Sequence, residues 1–401
     1  MAQDFPWPIV TGSLIRLSNV ITALSRIGDV DLFCFVHSHR EDPCELPAGA
    51  PVVRATTVVC TERPFTPARR LGWLRSAQPI HFWVTDYQAP QEAFPDWVRA
   101  PYDLVWFSKA NTYESLGRPD LGPTIVDLDD LEDQKARARL EVWRAEPPQR
   151  NPVHARVSLL QGRLDARRWR GLQRSISRSA AGVAVCSRLD GTRLDVANAS
   201  VVPNGYDDTI SPVGRTGVAA PPTLLLAGVL FYPPNADGAR WLVHQVLPHL
   251  RDLVPDVRIR LVGASWPPVQ ELDDPPSVTV VGRVPEMLPE LQRADAIVVP
   301  VRFGSGTRVK ILEAFAHRLP VVSTTLGAEG LEVEHDRHLL LADTPEDFAA
   351  ACARVLTDPA LRARLADAGQ QLFRSRYTWS HTQEAVDVLA RQHIRTAVPA
   401  T

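Results

Sequence analysis

The sequence predicts an α/β protein of two domains with parallel sheets, on three observations. Short β-branched runs alternate with longer amphipathic segments along the whole chain, the rhythm of βαβ units. Most of those short runs are nearly continuous in apolar residues, as strands covered on both faces are. The chain has 401 residues, more than the ~100–200 usual for one domain. Within it, residues 206–223 lose periodicity and gather Pro and Gly, the mark of an interdomain linker.

In the first half, strands are expected at 29–36 (DVDLFCFV), 51–59, 80–85 (IHFWVT), 103–108, 124–128 and 182–187, with helices at about 13–27, 131–146 and 154–179. The last of these carries Leu159, Leu160, Leu164, Trp169, Leu172 and Ile176 among many arginines, an amphipathic helix with a solvated outer face. After the linker the pattern restarts with strand 223–231, helix 235–252, strands 258–264 and 278–284, helix 285–293 and strand 296–301. A helix at about 307–318, strands 320–325 and 338–343, and helical segments 345–356, 359–376 and 380–393 complete it. The two halves share an architecture and no sequence repeat.

A composition of 45% hydrophobic and 22% charged residues is that of an ordinary globular protein. Formal net charge is −2, so no overall field favours nucleic acid, although the arginine-rich segment 150–178 makes a local basic surface. The cysteines, Cys34, Cys44, Cys60, Cys186 and Cys352, are odd in number, scattered and never in a C-x-x-C pair. That argues against a disulfide framework and a zinc site, and for a reducing, cytoplasmic setting. The N-terminus lacks a basic region and an apolar core of leader type, and no run of about 18 apolar residues occurs. A membrane span is not expected; peripheral membrane contact stays open, as does the oligomeric state. His37, His39, His81, His154 and His335 show no metal-ligand spacing.

The stretch FGSGTRVKILEA, residues 303–314, carries the strongest chemical signal. Gly304, Ser305, Gly306 and Thr307 stand where a strand hands over to a helix, and ligands of open parallel sheets bind at that edge. Glycines let backbone N–H groups approach an anion, and the helix start adds its dipole. Arg308 and Lys310 add full positive charge suited to a diphosphate. Lys310 is notable because Lys109 and Lys135 are the only other lysines. Glu313 follows three residues later on the same helical side, and a carboxylate there can accept both hydroxyls of a ribose diol. The plain alternative is an ordinary turn, an N-cap and a solvent-facing glutamate. The dinucleotide fingerprint is excluded because Val309 takes the third glycine position, and a P-loop because no Gly-Lys-Ser/Thr follows.

Two further clusters lie in the first half. Gly12 is in a loop leading into a helix that carries Arg16; the alternative there is a Ser13 N-cap with a surface arginine. VDLDDLEDQKAR places Asp127, Asp129 and Asp130 at a strand's carboxyl end, where they can bind hydroxyls, handle a proton or cap the next helix. An Asp-x-Asp after a strand also suits a metal-dependent GT-A glycosyltransferase.

Residues 299–332, VPVRFGSGTRVKILEAFAHRLPVVSTTLGAEGLE, resemble the donor-binding segment of family 4 (group 1) glycosyltransferases, retaining enzymes of the GT-B superfamily. Segments 5–25, 184–190, 201–207, 223–248 and 377–386 resemble further parts of the same family in the same order. The resemblance implies a GT-B fold, two Rossmann-like domains facing across a cleft. Residues 1–205 would form the acceptor side, joined by helix 377–401, and 206–376 the donor side. It implies transfer of a sugar from a nucleoside diphosphate sugar to a hydroxyl acceptor, with no cofactor and no metal. Arg308, Lys310, Gly12, Gly306 and Thr307 would hold the diphosphate, Glu313 the ribose, Ser305 and Gly304 the sugar, and Gly282, Arg283 and Val284 the nucleobase. Arg16, Asp127 and Asn235 would line the acceptor side or the cleft, and Asp129 and Asp130 are the catalytic candidates. Two departures stand out. The family's first donor-segment glutamate falls at Ser305, and the basic pair that often follows the first glycine is missing from VLFYPPN, residues 229–235. A GT-B nucleotide-sugar 2-epimerase and an inactive nucleotide-sugar-binding protein remain as alternatives.

Overall fold

The computed structural model describes residues 1–9, 12–38, 44–145, 151–210, 212–213, 221–304 and 309–394. The chain divides into two compact units, Met1–Asn204 with Ser380–Thr401, and Gly205–Trp379.

The strands of the first unit are β1 (Ala2–Gln3), β2 (Asp31–His37), β3 (Arg54–Glu62), β4 (Thr85–Asp86), β5 (Val105–Ser108), β6 (Thr124–Leu128), β7 (Gly182–Val185) and β8 (Ala199–Val201). Among the described residues they form two sheets, β1-β2-β3-β4 and β5-β6-β7-β8, parallel except for the β3–β4 pair. Met1 joins the sheets: its ammonium donates to Trp106 O at 2.8 Å and Ser108 N–H donates to Met1 O at 2.8 Å. Phe33, Phe107, Val126, Val183 and Ile176 are fully buried in one core layer of this unit. On another layer, Val386 and Leu389 of helix Trp379–His393 pack with Val20, Ala23 and Ile125.

The expected strand at 80–85 is corrected. His81–Val84 is a helical turn and only Thr85–Asp86 is extended. The β-branched composition is overridden because Asp165 Oδ1 accepts the Ile80 N–H at 2.6 Å while Trp83 N–H bonds back to Ile80 O at 2.8 Å. A distant carboxylate thus satisfies the first donor of a turn that local propensity disfavours. Helices Pro67–Arg75, Gln88–Trp97, Ala110–Ser115 and Arg188–Leu194, and the short strands β1 and β8, were not expected from the sequence pattern.

In the second unit the strands are β9 (Thr223–Ala227), β10 (Arg258–Val262), β11 (Val278–Gly282), β12 (Ala296–Val299), β13 (Val321–Ser323) and β14 (Leu340–Leu341). They form a parallel sheet in the order β11-β10-β9-β12-β13-β14. Its central strand explains the unbroken apolar run TLLLA: Leu224 and Leu226 face the core of Trp241 and Phe348, and Leu225 faces that of Phe315 and Phe373. The single helix expected at 235–252 is three segments, α over Pro233–Trp241, π over Leu242–Val246 and α over Leu247–Leu253. Pro248 has no N–H to donate to the preceding turn, and the ladder widens ahead of it.

Segment 206–223 begins just after the division between the two units. Its described part is packed on the second unit: Tyr206 N–H donates to Tyr377 O at 2.9 Å, and Val213 N–H to His317 O at 2.9 Å. Proline and glycine content marked an irregular backbone, and long-range partners then took up its hydrogen-bonding groups. No helix among the described residues is long and apolar enough to cross a membrane.

Phe348 is fully buried and meets the Trp241 ring edge-on at 5.3 Å. Phe348→Ala should cost about 3–5 kcal/mol. In calorimetry the transition of the second unit is expected to drop by several degrees, and an unchanged profile would show that the site collapses without loss.

Candidate functional site

The carboxyl edge of the second unit's sheet is built from backbone. Gly228 and Gly263 follow β9 and β10 with φ +136° and +137°, and Gly282 ends β11 with φ +79°. Gly228 N–H donates to Val262 O at 2.9 Å and Gly263 N–H to Gly282 O at 2.8 Å. A Cβ on Gly263 would fall 1.8 Å from Gly228 O, so this position admits no side chain. Three neighbouring turns therefore present bare peptide, over which a ligand can approach closely.

Helix Val309–Ala316 sets the charged rim. Ile311, Leu312, Ala314 and Phe315 are buried against the sheet, which leaves Lys310 and Glu313, one turn apart, half-buried at the edge. Lys310 Nζ donates to Asn235 Oδ1 at 2.8 Å, and Asn235 Nδ2 donates to Val229 O at 2.9 Å. The ammonium lies 3.3 Å from the position a Gly228 Cβ would take, so a positive charge stands directly over the first glycine turn. Glu313 Oε1 accepts the Tyr206 hydroxyl at 2.8 Å. Burial pushes the Glu313 carboxyl above the usual range, against the pull of Tyr206 and Lys310. Burial, then the Glu313 charge, pushes the Tyr206 phenol far above its ordinary value, so it stays a donor.

Gly304 is buried with φ +135°; Ser305, Gly306, Thr307 and Arg308 lie outside the described residues. Arg283 is exposed, and Val284 is half-buried against the Phe315 core. Asn235, expected on the acceptor side or cleft, belongs to the second unit and holds Lys310.

At the carboxyl edge of β6 in the first unit, Arg16 is 3% exposed and Asp127 4% exposed. Arg16 Nη2 donates to Asp127 Oδ1 at 2.8 Å and Nε to Oδ2 at 3.1 Å, while Nη1 donates to Val202 O and Asn204 Oδ1, each at 2.9 Å. Burial pulls the guanidinium down, and Asp127, Cys186 and Asp129 together outweigh it and raise it further. The alternative of a surface Arg16 is corrected, because the guanidinium is buried on Asp127. Gly12 is exposed at the start of the Arg16 helix.

Asp129, two residues on, lines a narrow pocket with Ser13, Arg16, Trp106, Ser108 and Lys109. Burial raises its carboxyl to about 6; Lys109 opposes this, and Asp130 and Asp127 add to it. Sequence reasoning missed Lys109. Its backbone has φ 74° and ψ 151°, unusual for a side-chain-bearing residue and the kind of strain found at functional edges. Its N–H is held by Asp127 O at 2.8 Å, and its ammonium is raised chiefly by Asp129. Among the described residues no group of three His, Cys, Asp or Glu side chains could hold a metal ion.

Residues 221–358 match the family model described as glycosyl transferases group 1. This segment is similar to a group 1 glycosyltransferase domain. It contains Gly228, Asn235, Gly263, Gly282, Lys310 and Glu313. An uncharacterized 44.6 kDa protein of the cps region of Klebsiella pneumoniae is 27% identical over 135 residues, 31% of this chain and 35% of its own length. Glycosyltransferase 1 domain-containing protein 1 of Xenopus tropicalis is 22% identical over 142 residues, 34% of this chain and 41% of its own. The chain thus spans about a third to two fifths of the length of the curated relatives it matches.

Among solved structures, sucrose-phosphate synthase from Thermosynechococcus elongatus has a TM-score of 0.67 at 18% identity, covering 98% of both chains. HepE from Anabaena, solved with UDP-glucose, has 0.61 at 15% identity over 97% of this chain and 98% of its own. WaaG, a glycosyltransferase involved in lipopolysaccharide biosynthesis, has 0.60 at 13% identity over 97% of both. The fold is GT-B along nearly the whole chain.

Removing charge from the buried pair leaves an arginine without its counter-ion, so Asp127→Asn should destabilise the first unit by about 3–5 kcal/mol. The urea midpoint followed by tryptophan fluorescence is expected to fall; an unchanged midpoint would show that water reaches Arg16.

Proposed function

We propose that this protein transfers a glycosyl group from a nucleoside diphosphate sugar to a hydroxyl acceptor, with retention of anomeric configuration and without a metal. The observation that carries this reading is Lys310 seated over Gly228 with Glu313 one turn away, inside the matched domain. The bare glycine turns suit a diphosphate, Lys310 balances its charge in the role left open by VLFYPPN, and Glu313 takes the ribose diol. In this reading Arg308, Gly306, Thr307 and Gly12 also serve the diphosphate, and Ser305 and Gly304 the sugar. Gly282, Arg283 and Val284 seat the base. That HepE was solved with UDP-glucose supports the donor class.

In the reaction the bond from the anomeric carbon to the diphosphate oxygen breaks and the bond to the acceptor oxygen forms. The acceptor proton passes to the departing phosphate on the same face. Charge grows on that phosphate, and Lys310 with the helix start stabilises it as an oxyanion hole does. The first unit supplies the acceptor side, where ionised Asp129, flanked by Asp130, accepts the hydroxyl's hydrogen bond and orients it.

Thermal-shift measurements against UDP-, GDP-, dTDP- and ADP-sugars should show stabilisation by one nucleotide class; no shift with any would remove the donor reading. Lys310→Ala should raise the donor KM or lower kcat at least tenfold, and wild-type kinetics would contradict its role. Since Asp129 must be ionised, kcat should fall as pH drops through about 6. Asp129→Asn should lose turnover while still binding donor, and an unchanged acid limb in that variant would assign the limb elsewhere.

A further inference from the structure

Tyr206 lies 107 residues before Glu313 in the chain, yet its hydroxyl meets the carboxylate at 2.8 Å. Nothing local aims it there. Its backbone is fixed by a second strand segment: Tyr206 N–H donates to Tyr377 O at 2.9 Å, Trp379 N–H donates to Tyr206 O at 3.2 Å, and Tyr206 bridges Thr378. Gly205 makes this pairing possible, because a Cβ there would stand 2.7 Å from Thr378 C and 2.8 Å from Trp379 N. The ring then lies edge-on to His317 at 6.4 Å, one turn beyond Glu313. Both Tyr206 and Glu313 are half-buried, so a ligand at the rim can reach the pair.

We propose that the Tyr206 hydroxyl is the positioning group that holds Glu313 for a ribose diol and makes the nucleotide site select ribonucleotides over 2′-deoxyribonucleotides. This rests on the reading of Glu313 as the ribose contact. A carboxylate on a helix rim turns about its last side-chain bond. With Oε1 held by Tyr206, rotation of the carboxylate is restricted and the lone pairs of Oε2 are left for vicinal hydroxyls. A 2′-deoxy sugar has one hydroxyl fewer to donate and gains little from that arrangement. The groups acting on Glu313 are Tyr206, from before the second unit's first strand, and Lys310 from its own helix; His317, just past that helix, packs on the Tyr206 ring. Of these, Tyr206 and Lys310 hold the carboxyl down against burial. Loss of the Tyr206 hydroxyl therefore moves Glu313 further up, and a protonated carboxyl accepts fewer hydrogen bonds.

The test is calorimetric titration with UDP, GDP, 2′-deoxy-UDP and 2′-deoxy-GDP between pH 5 and 8, on wild type, Tyr206→Phe and Glu313→Gln. Wild type should prefer the ribonucleotide, and Glu313→Gln should abolish the preference. Tyr206→Phe keeps the ring and its packing. It should weaken ribonucleotide binding about tenfold, leave the deoxy form nearly unchanged, and shift the acid loss of binding to higher pH. Tyr206→Phe with the wild-type preference and acid limb would overturn the proposal while leaving Glu313 in place. An even loss for all four nucleotides at every pH would also overturn it, as a merely structural effect. Wild type that binds these nucleotides without preference would remove the ribose reading itself.

Discussion

The first unit is organised around one buried guanidinium. Arg16 reaches from the first long helix to Asp127 at the end of β6 and to Val202 and Asn204 beyond β8. An arginine so placed is tolerable only because a carboxylate matches its fork and two oxygens accept from its remaining face. The pair ties a helix and two strand ends together at the edge where Asp129 emerges. It also shapes the chemistry there. Asp127 has taken the nearest arginine, so Asp129 keeps Lys109 as its main counter-charge and is left with a raised carboxyl.

The second unit solves the opposite problem. Its functional edge needs few side chains, because three glycine turns stacked on successive strands present peptide groups directly. The sheet beneath must then be rigid, and the apolar layers on both faces of β9 make it so. Onto that floor a single helix brings Lys310 and Glu313. Each is steadied by a polar side chain from a distant part of the chain, Asn235 for the lysine and Tyr206 for the glutamate.

Much of this was legible in the sequence, for reasons that differ by residue. Lys310 and Glu313 could be paired because three residues in a helix is one turn, and Gly228, Gly282 and Gly304 because each follows an apolar run. The strand at 80–85 was misread because β-branched composition is a local signal, and the carboxylate that caps that turn comes from residue 165. The Asn235–Lys310 contact could not be read, since nothing in PPNADG says where the amide points. Lys109 looked like one rare lysine among three, and its strained backbone has no sequence signature. Tyr206 sat inside what composition marked as a linker.

By itself the sequence determined two α/β units, the doubly covered strands, the glycine-rich carboxyl edge and the charges on the 309–316 helix, because periodicity and spacing along one element encode which face each residue takes. Only the tertiary structure decided that Arg16 is buried on Asp127, that Asn235 serves Lys310, and that Tyr206 holds Glu313. Those are contacts across 75 to 111 residues of sequence. Hydrogen bonds and ion pairs depend on distances of about 3 Å, and such distances between remote residues exist only once the sheets and their covering helices have packed.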